Sequence, residues 1–373
     1  MSISIKVTSK ISDIKNVWDS CLPYNHHLKS PHLQAFEDSS IENIESFYLL
    51  IFLKENLIGV AYLQKFLFKH KQINFNDEQK LISKTLDFLL PKELPILVCG
   101  NLFRIDFQGF YFINKLHKNF IFDAIKLFTK QNANCEPKGI ILKDCEEVFV
   151  TQYCKHPGYQ YFDGDITMEV FRRKNWITFI DYLNDLTKKY LQRAKKIIKS
   201  FEGIRNIQLT SEQIHENAEI INELYNNVVN KQTVQLCTVN ANYFVQLKND
   251  LEQNFEFHAL YKDDIMVGFY TLILYQNEME THFIGLDYEA NKHHQIYFNI
   301  LFLGIEKMIE NKFNRLELGR TARDAKANVG AQARQIINYV YINNRIIRFA
   351  LNHFLKSFNS NENKNIVNRN PLK

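Results

Sequence analysis

The segment 315–331 holds the residues with the clearest potential for chemistry. Its sequence, Arg-Leu-Glu-Leu-Gly-Arg-Thr-Ala-Arg-Asp-Ala-Lys-Ala-Asn-Val-Gly-Ala, predicts a short strand, a turn at Gly319 and a helix. Glycine permits a left-handed turn, threonine can cap a helix, and the first free N–H groups of a helix attract anions. With Thr321 as the cap and Arg320 and Arg323 as nearby cations, the segment suits a phosphate or a carboxylate, and Lys326 is a further expected binding residue. An ordinary connection with a solvated basic turn fits the same residues.

A second candidate is an acid–base pair on the strand predicted at 278–287. Glu280 and His282 are two residues apart, so they share one face of a strand. A histidine beside a carboxylate could deprotonate an amine, whereas the alternative is an ordinary pair on a sheet face. The adjacent His293 and His294 have no third metal ligand placed near them, so we predict no metal site.

A third candidate is a basic helix predicted at 178–201. Thr178 and Asp181 have the spacing of a capping box at its start. One face is apolar, and the other carries many cations, including Lys189 and Arg193. Such a face could bind an anionic donor, either nucleotide phosphates or the acceptor arm of a charged tRNA. The alternative is a solvated helix face.

These candidates need a scaffold, and the composition allows a large one. A chain of 373 residues with 46% hydrophobic residues can form two domains, each with its own core. The net charge of +5 is too small by itself to distinguish nucleic acid from a phosphorylated small molecule as a ligand. The 6 cysteines form no Cys-x-x-Cys pair, so neither a zinc site nor a disulfide framework is predicted.

The sequence also bears on the cellular compartment. The N-terminal residues lack the apolar core of a signal peptide, and no run of apolar residues is long enough to cross a bilayer. We therefore expect a cytoplasmic protein with reduced thiols. A peripheral contact with an anionic membrane remains open, because basic residues could bind lipid headgroups.

The two halves of the chain repeat one pattern. The segments 47–62 and 255–270 each read as an apolar hairpin with a Lys-acid-Asn/Asp turn. Amphipathic helices follow at 121–129 and 300–309, each before an apolar strand. Duplication explains this pattern, although any mixed α/β domain can contain such hairpins by chance.

The order of elements predicts a mixed α/β fold, with a mixed sheet that has helices on both faces and is used twice. We expect an N-terminal domain at 1–175 with an inserted helix and loop at 69–95, a C-terminal domain at 176–357, and a flexible tail at 358–373. For the second half we predict helices near 212–229, 241–253 and 298–312, and strands at 204–210, 255–262, 265–276, 278–287, 315–319 and 336–342.

Three segments carry a family resemblance. Residues 318–322, followed by Lys326 and by 330–331, resemble the C-terminal signature of a GNAT-like group of bacterial acyltransferases. This group contains the Fem-type peptidoglycan aminoacyltransferases and the cellulose-biosynthesis-type acetyltransferases. Residues 30–37 resemble its early "S-P-x-L-x-A-L-E" helix, and residues 182–196 resemble its "Y-L-x-x-L-x-x-K-Y-x-x-R" helix. The segments occur in one order along nearly the whole chain.

The resemblance implies tandem GNAT-like domains with an active cleft between them. It also implies that the basic helix borders this cleft, with Lys189 and Arg193 as donor contacts, although Leu191 stands where the family often has Arg. Tyr288 and Tyr297 would line the cleft.

The expected reaction moves an acyl or aminoacyl group onto an amine or hydroxyl of a cell-envelope or polysaccharide precursor. No tightly bound cofactor is expected, and the donor is acyl-CoA or aminoacyl-tRNA. Both donors stay open, because the loop expected to hold the pyrophosphate of coenzyme A, 287–297, contains no glycine.

Two other functions fit the same sequence. The chain could be a non-catalytic module that uses the GNAT scaffold to bind an anionic saccharide, a lipid or RNA. It could also bind nucleic acid without catalysis, which steep salt dependence would reveal. DNA is not an expected partner, and the oligomeric state is open.

Overall fold

The computed structural model describes residues 2–69, 93–132, 136–145, 158–231, 237–275, 277–344, 348 and 369–373. The chain divides into two compact units. Unit 1 comprises Met1–Asp165, Gln232–Thr238 and Gln335–Asn363, and unit 2 comprises Ile166–Lys231, Val239–Arg334 and Lys364–Lys373. Residues 70–92, most of the expected insertion, lie outside the described residues.

The described part of unit 1 contains a sheet and flanking helices. Its helices are α1 (Lys15–Ser20), α2 (Ser30–Asp38) and α3 (Phe120–Gln131). Its strands are β1 (Ile3–Thr8), β2 (Ile44–Leu53), β3 (Asn56–Phe68), β4 (Leu94–Cys99), β5 (Phe110–Phe112), β6 (Gly139–Cys145) and, from residue 335 onward, β13 (Gln332–Ile342). The strand order is β1-β2-β3-β4-β6-β13, with β5 beside β3 and with β4 and β6 parallel.

Strand periodicity divides the core of unit 1 between the two sheet faces. Leu49 and Ile51 of β2 pack in one cluster with residues of α3. Tyr48 and Leu50, the alternate residues, pack in a second cluster with Trp18 of α1 and Leu33 of α2. Successive side chains of a strand point to opposite faces, so helices cover both faces of this sheet.

The described part of unit 2 has the same kind of architecture. Its helices are α4 (Phe179–Asp185), α5 (Lys188–Ser200), α6 (Ser211–Glu216), α7 (Ala218–Val229), α8 (Ala241–Leu251), α9 (Tyr288–His294), α10 (Ile296–Glu310) and α11 (Arg323–Ala327). Its strands are β7 (Tyr159–Phe171, from residue 166 onward), β8 (Ile204–Gln208), β9 (Phe255–Lys262), β10 (Ile265–Leu274), β11 (Glu278–Leu286) and β12 (Arg315–Glu317).

The strand order in unit 2 is β7-β12-β11-β10-β9-β8, with β11 and β12 parallel. Met279 and Leu316 pack with the apolar side of α10. On the other face, His282 of β11 contacts Tyr243 of α8. The expected mixed α/β fold with helices on both sheet faces is therefore confirmed.

The predicted helix at 178–201 is wrong in one respect, because it consists of two helices. The capping box of Thr178 and Asp181 is confirmed at the start of α4. However, Leu186 and Thr187 have extended backbone, with ψ angles of 141° and 154°, and α5 begins only after them. The chain therefore bends between the apolar α4 and the basic α5.

The expected flexible tail at 358–373 can be compared with the structure only at its last residues, 369–373. Residues 358–368 lie outside the described residues. The peptide N–H of Thr187 donates to the carbonyl of Pro371 at 2.8 Å, and the N–H of Lys373 donates to the carbonyl of Asp185 at 2.8 Å. These last residues are bound to unit 2 rather than extended into solvent. In the described ranges, no helix combines the length and the apolarity needed to cross a bilayer.

Candidate functional site

The turn after β12 is built around Gly319. Its φ angle of 82° lies in the left-handed region, which confirms the predicted need for glycine. The predicted cap by Thr321 is wrong: α11 starts from Ala322, whose φ is 51°, and no side chain caps it. The helix Arg323–Ala327 has only 5 residues, so the helix is too short for its N-terminus to serve as the predicted anion site.

Glu317 lies directly beneath this turn. Its side chain is buried, with only 4% of the residue exposed. Its Oε1 accepts a hydrogen bond from the N–H of Gly319 at 2.6 Å and another from the hydroxyl of Thr167 on β7. The N–H of Gly319 is therefore bonded within the protein rather than directed at a ligand.

Lys326 bonds the carbonyl of Gly319, the other polar backbone group of this residue. Its Nζ donates to the carbonyl of Gly319 at 3.0 Å, and only 3% of the residue is exposed. The structure thus places Lys326 beneath the turn, whereas sequence analysis predicted a cation open to a ligand. Both backbone groups of Gly319 are held by buried side chains of opposite character.

Burial moves the pKa values of Glu317 and Lys326 toward each other. Burial, together with the nearby charge of Glu280, raises the pKa of Glu317 to about 8. Burial lowers the pKa of Lys326 to about 8, against the opposing attraction of Glu317. Two groups with similar pKa values can exchange a proton without a large energetic cost.

Strand pairing places carboxylates in a row. Glu317 lies opposite Glu280 in the parallel pair of β11 and β12, and opposite Glu169 in the antiparallel pair of β12 and β7. Adjacent strands are about 4.8 Å apart, so the three side chains lie side by side on one face. Arg315 and Arg334 each donate to Oε1 of Glu169 at 2.7 Å. These arginines offset part of the buried negative charge.

The predicted pair of Glu280 and His282 is brought together. His282 Nδ1 lies 3.2 Å from Glu280 Oε1, and its Nε2 lies 3.0 Å from the hydroxyl of Tyr243. Tyr275 donates to Oε2 of Glu280 at 3.2 Å. The side chain of His282 is 1% exposed. The pair is thus part of an interior hydrogen-bond network next to Glu317.

The strands β11 and β12 separate at this point. Their pairing covers Glu278–Glu280 and Arg315–Glu317. Beyond it, the N–H of Leu318 donates to the carbonyl of Met168, and the N–H of Met168 donates to the carbonyl of Gly319. The chain after β12 therefore follows β7, while β11 continues to Leu286. The Gly319 turn lies where the parallel strands part.

The segment 287–297, predicted as a loop, is mostly the helix α9. Asp287 caps it, because Oδ1 accepts hydrogen bonds from the N–H groups of Glu289 and Ala290 at 2.8 and 3.0 Å. A carboxylate of the chain itself thus occupies the N–H groups that could otherwise contact a phosphate. Tyr288 is half-buried at the start of α9, and Lys231 Nζ lies 3.1 Å from its ring centroid.

The structure places Lys189 and Arg193 on the exposed face of α5. The guanidinium carbon of Arg193 lies 5.0 Å from the ring centroid of Phe298 on α10. The opposite face of α5 is buried through Ala194 and Ile197. Among the residues that the structure describes, no hydrogen bond or ion pair joins these cations to the Gly319 turn. Arg320 is half-buried and Thr321 is exposed beside the turn.

Sequence reasoning missed Glu317, Glu169 and Thr167. A signal for Glu317 was present, because it is a charged residue between two leucines in a predicted apolar strand. Glu169 and Thr167 lie on β7, which was not predicted. Over the described ranges, no group of at least three His, Cys, Asp or Glu side chains has an arrangement that could hold a metal ion.

Comparison with known proteins shows the fold. No family model matches the chain, and no curated protein matches it significantly. The chain is similar to the crystal structure of FemX, with 11% identity, a TM-score of 0.55, and coverage of 94% of this chain and 100% of FemX. The expected Fem-type, GNAT-like fold is therefore confirmed, while the cellulose-biosynthesis-type resemblance stays a prediction.

Two further solved structures have lower TM-scores. A tandem GNAT protein from the clavulanic acid biosynthesis pathway has 8% identity and a TM-score of 0.49, with coverage of 91% of this chain and 98% of that protein. The C-terminal domain of a putative lysylphosphatidylglycerol synthetase from Agrobacterium fabrum has 12% identity and a TM-score of 0.46, with coverage of 70% and 81%. These scores are too low to carry an argument.

Proposed function

We propose that this chain is an acyltransferase that moves an acyl or aminoacyl group onto an amine or hydroxyl of a small-molecule or glycan precursor of the cell envelope. The observation that carries the proposal is the buried pair of Glu317 and Lys326, which bonds both backbone groups of Gly319 where two parallel strands part. The FemX-like fold provides the scaffold.

The pair offers the proton transfers that acyl transfer requires. An acceptor amine is protonated in water and must lose protons as its nitrogen attacks the acyl carbon. A new bond from nitrogen or oxygen to that carbon forms, and the bond from the carbon to the thiolate or ribose oxygen of the donor breaks. In our proposal, Glu317 and Lys326 take the acceptor proton and return it to the leaving group, since both have pKa values near 8.

Neighbouring residues would support this pair. We assign Glu280 and His282 as positioning residues, because the charge of Glu280 raises the pKa of Glu317 and His282 holds Glu280 in place. Arg320 and Thr321 lie on the outer side of the Gly319 turn, where they would contact the anionic part of the donor.

The choice of donor rests on α5 and α9. The phosphates of acyl-CoA would be held at the start of α9, but the Asp287 carboxylate already occupies the N–H groups there. This cap therefore supports a donor whose phosphates bind elsewhere. Lys189 and Arg193 belong to an exposed basic face that could follow the phosphates of a tRNA acceptor arm. We therefore favour aminoacyl-tRNA as the co-substrate and keep acyl-CoA as the alternative, with Tyr288 near the donor in either case.

A turnover assay tests the proposal. The wild-type chain would be incubated with acetyl-CoA and with charged tRNA across a set of amine and hydroxyl acceptors. We expect turnover with one of the donors, and a loss of about a hundredfold in Glu317→Gln and in Lys326→Met. Lys262→Met, a matched change at a partly exposed lysine of β9, should retain the wild-type rate. Full activity of both site variants would contradict the assignment.

A second candidate function is a non-catalytic binding module for an anionic ligand. The burial of the candidate reactive groups favours it, because the side chains of Glu317, Lys326 and His282 are almost fully enclosed and so have little access to a substrate. This module would be stabilised by charged tRNA, an anionic saccharide or anionic lipid without converting any of them. Ligand-dependent thermal stabilisation in the absence of turnover would support it over the acyltransferase.

A further inference from the structure

The segment Arg369–Lys373 is bound along the bend between α4 and α5. Leu186 and Thr187 are extended there. The N–H of Leu186 still donates to Leu183 of α4 and the carbonyl of Thr187 still accepts from Leu191 of α5, whereas the N–H of Thr187 bonds outside both helices. Leu372 forms an antiparallel bridge with Leu186. The N–H of Thr187 donates to the carbonyl of Pro371, and the N–H of Lys373 donates to the carbonyl of Asp185, both at 2.8 Å.

Side chains strengthen this attachment at its end. Arg173 Nη1 donates to the carbonyl of Lys373 at 2.8 Å and to the carboxylate of Asp185 at the same distance. Lys373 Nζ donates to the carbonyl of Asn184 at 2.6 Å. The segment is therefore held by several polar contacts of its own.

Leu372 also reaches the segment that carries Lys326. Gly330 has a φ angle of 95°, and a Cβ atom placed there would lie 3.1 Å from Cδ1 of Leu372. The leucine side chain therefore packs directly on the backbone of Gly330. Tyr182 of α4 donates to the carbonyl of Val329 at 2.9 Å, so α4 and Leu372 contact two adjacent residues of the chain.

Gly330 is connected to Lys326 by a tight turn. The N–H groups of Val329 and Ala331 both donate to the carbonyl of Lys326 at 3.1 Å. The packing of Leu372 on Gly330 thus helps to fix the backbone of Lys326. The Nζ of Lys326 in turn donates to the carbonyl of Gly319. At the other end of α11, Arg369 Nη2 lies 3.4 Å from Asp324 Oδ1.

We propose that Arg369–Lys373 is a positioning strap for the candidate site. Leu372 is the most important residue of this strap, because it fixes Gly330 against α4. It thereby sets the position at which the Lys326 ammonium meets the Gly319 turn. The assignment of this turn as a reaction site rests on the proposed function, but the positioning itself does not require catalysis.

Hydrogen–deuterium exchange of the full chain tests the strap. In Leu372→Ala, the amides of residues 319–331 should exchange about tenfold faster, because the turn that holds them loses its packing partner. Exchange in α10 should stay at the wild-type rate. The milder Leu372→Val should give a smaller acceleration in the same residues. Ile180→Ala, a matched truncation of a side chain that is 65% exposed on α4, should change neither region.

Two results would overturn the strap. Unchanged protection of residues 319–331 in both Leu372 variants would show that Leu372 does not hold the turn. Equal acceleration in α10 and in 319–331 would show that Leu372 is a general core residue. Because exchange is measured without substrate, a failed turnover assay leaves this result unaffected, and the two proposals fail separately.

Discussion

At the residue scale, the candidate site depends on burying groups that would prefer water. A buried charge is costly unless it is hydrogen-bonded and paired. Glu317 and Lys326 meet this condition by bonding the two backbone groups of Gly319, which only a residue tolerant of positive φ could present in this way. The free-energy cost of burying them is reflected in their pKa values, since the pKa is raised for Glu317 and lowered for Lys326.

This displacement predicts how stability changes with pH. Glu317 titrates near pH 8 in the folded chain instead of its ordinary 4.5, so between these values the folded form holds a proton that the unfolded chain has released. Stability from this group therefore falls as pH rises from 4.5 to 8. Lys326 titrates near 8 instead of 10.5, so its contribution rises with pH between 8 and 10.5. Together the two groups give their combined contribution to folding stability a minimum near pH 8.

Urea unfolding of the wild type and two variants from pH 5 to pH 10 measures both limbs. Glu317→Gln should remove the decline below pH 8 and leave the rise above it. Lys326→Met should do the reverse. If the curves of both variants run parallel to the wild type across the whole range, the two groups do not titrate near neutrality.

At the element scale, local patterns predicted the elements well where the cause is local. The strands β9, β10 and β11 and the helix α8 follow the predicted ranges closely, since alternation and caps are properties of neighbouring residues. The bend at Leu186 and Thr187 could not be predicted from its surroundings. Its partner is Leu372, which forms an isolated bridge with Leu186 from a distant position in the sequence.

The same distinction explains the site. Glu280 and His282 could be paired from sequence because they are two residues apart on one strand. Glu169 and Glu317 become neighbours only through the pairing of β7 with β12, and single-sequence patterns do not specify such pairing. Thr321 was expected to cap α11 from its residue type, but the left-handed Ala322 takes the position next to the helix.

The cap of α9 yields a stability prediction. Asp287→Ala removes the acceptor of two N–H groups and should destabilise unit 2 by about 1 kcal/mol, as measured by denaturant unfolding. Glu289→Ala is the matched control, because its exposed carboxylate caps nothing and only pairs with Lys292. Equal effects of the two changes would mean that Asp287 contributes only as a charge.

The exposed face of α5 yields a binding prediction. If Lys189 and Arg193 contact phosphates, their joint replacement by alanine should lower the slope of log affinity against log salt by about 1.5 for a tRNA acceptor-arm RNA. The measurement is fluorescence anisotropy from 50 to 300 mM salt. The control is the double change of Arg205 and Lys262 to alanine, which removes the same charge from residues paired with Asp264 and Asp263. Identical slopes for all three proteins would remove α5 from the donor site.

At the scale of the whole molecule, the predicted repeat of a hairpin is confirmed in the two units. The strands β2 and β3 pair antiparallel in unit 1, and β9 and β10 do so in unit 2. The described part of each unit also contains a parallel pair. In unit 1 this pair is apolar, with Val98 opposite Ile141 and Cys99 opposite Leu142. In unit 2 the corresponding pair brings Glu280 opposite Glu317.

This difference locates the candidate chemistry. An apolar parallel pair contributes to a core, whereas two adjacent buried carboxylates are costly and so need a reason to persist. In our proposal, the reactive residues therefore belong to unit 2. The strap of Arg369–Lys373 is consistent with this assignment, because it is bound to unit 2.

The most direct test of the central claim is the pH dependence of acyl transfer by the full chain, in wild type and in Glu317→Gln, from pH 6 to pH 9. The account predicts that the wild-type rate changes with an apparent pKa near 8, and that Glu317→Gln is about a hundredfold slower and keeps only the part of this transition that belongs to Lys326. A variant with the wild-type rate and the wild-type pH profile would contradict the account.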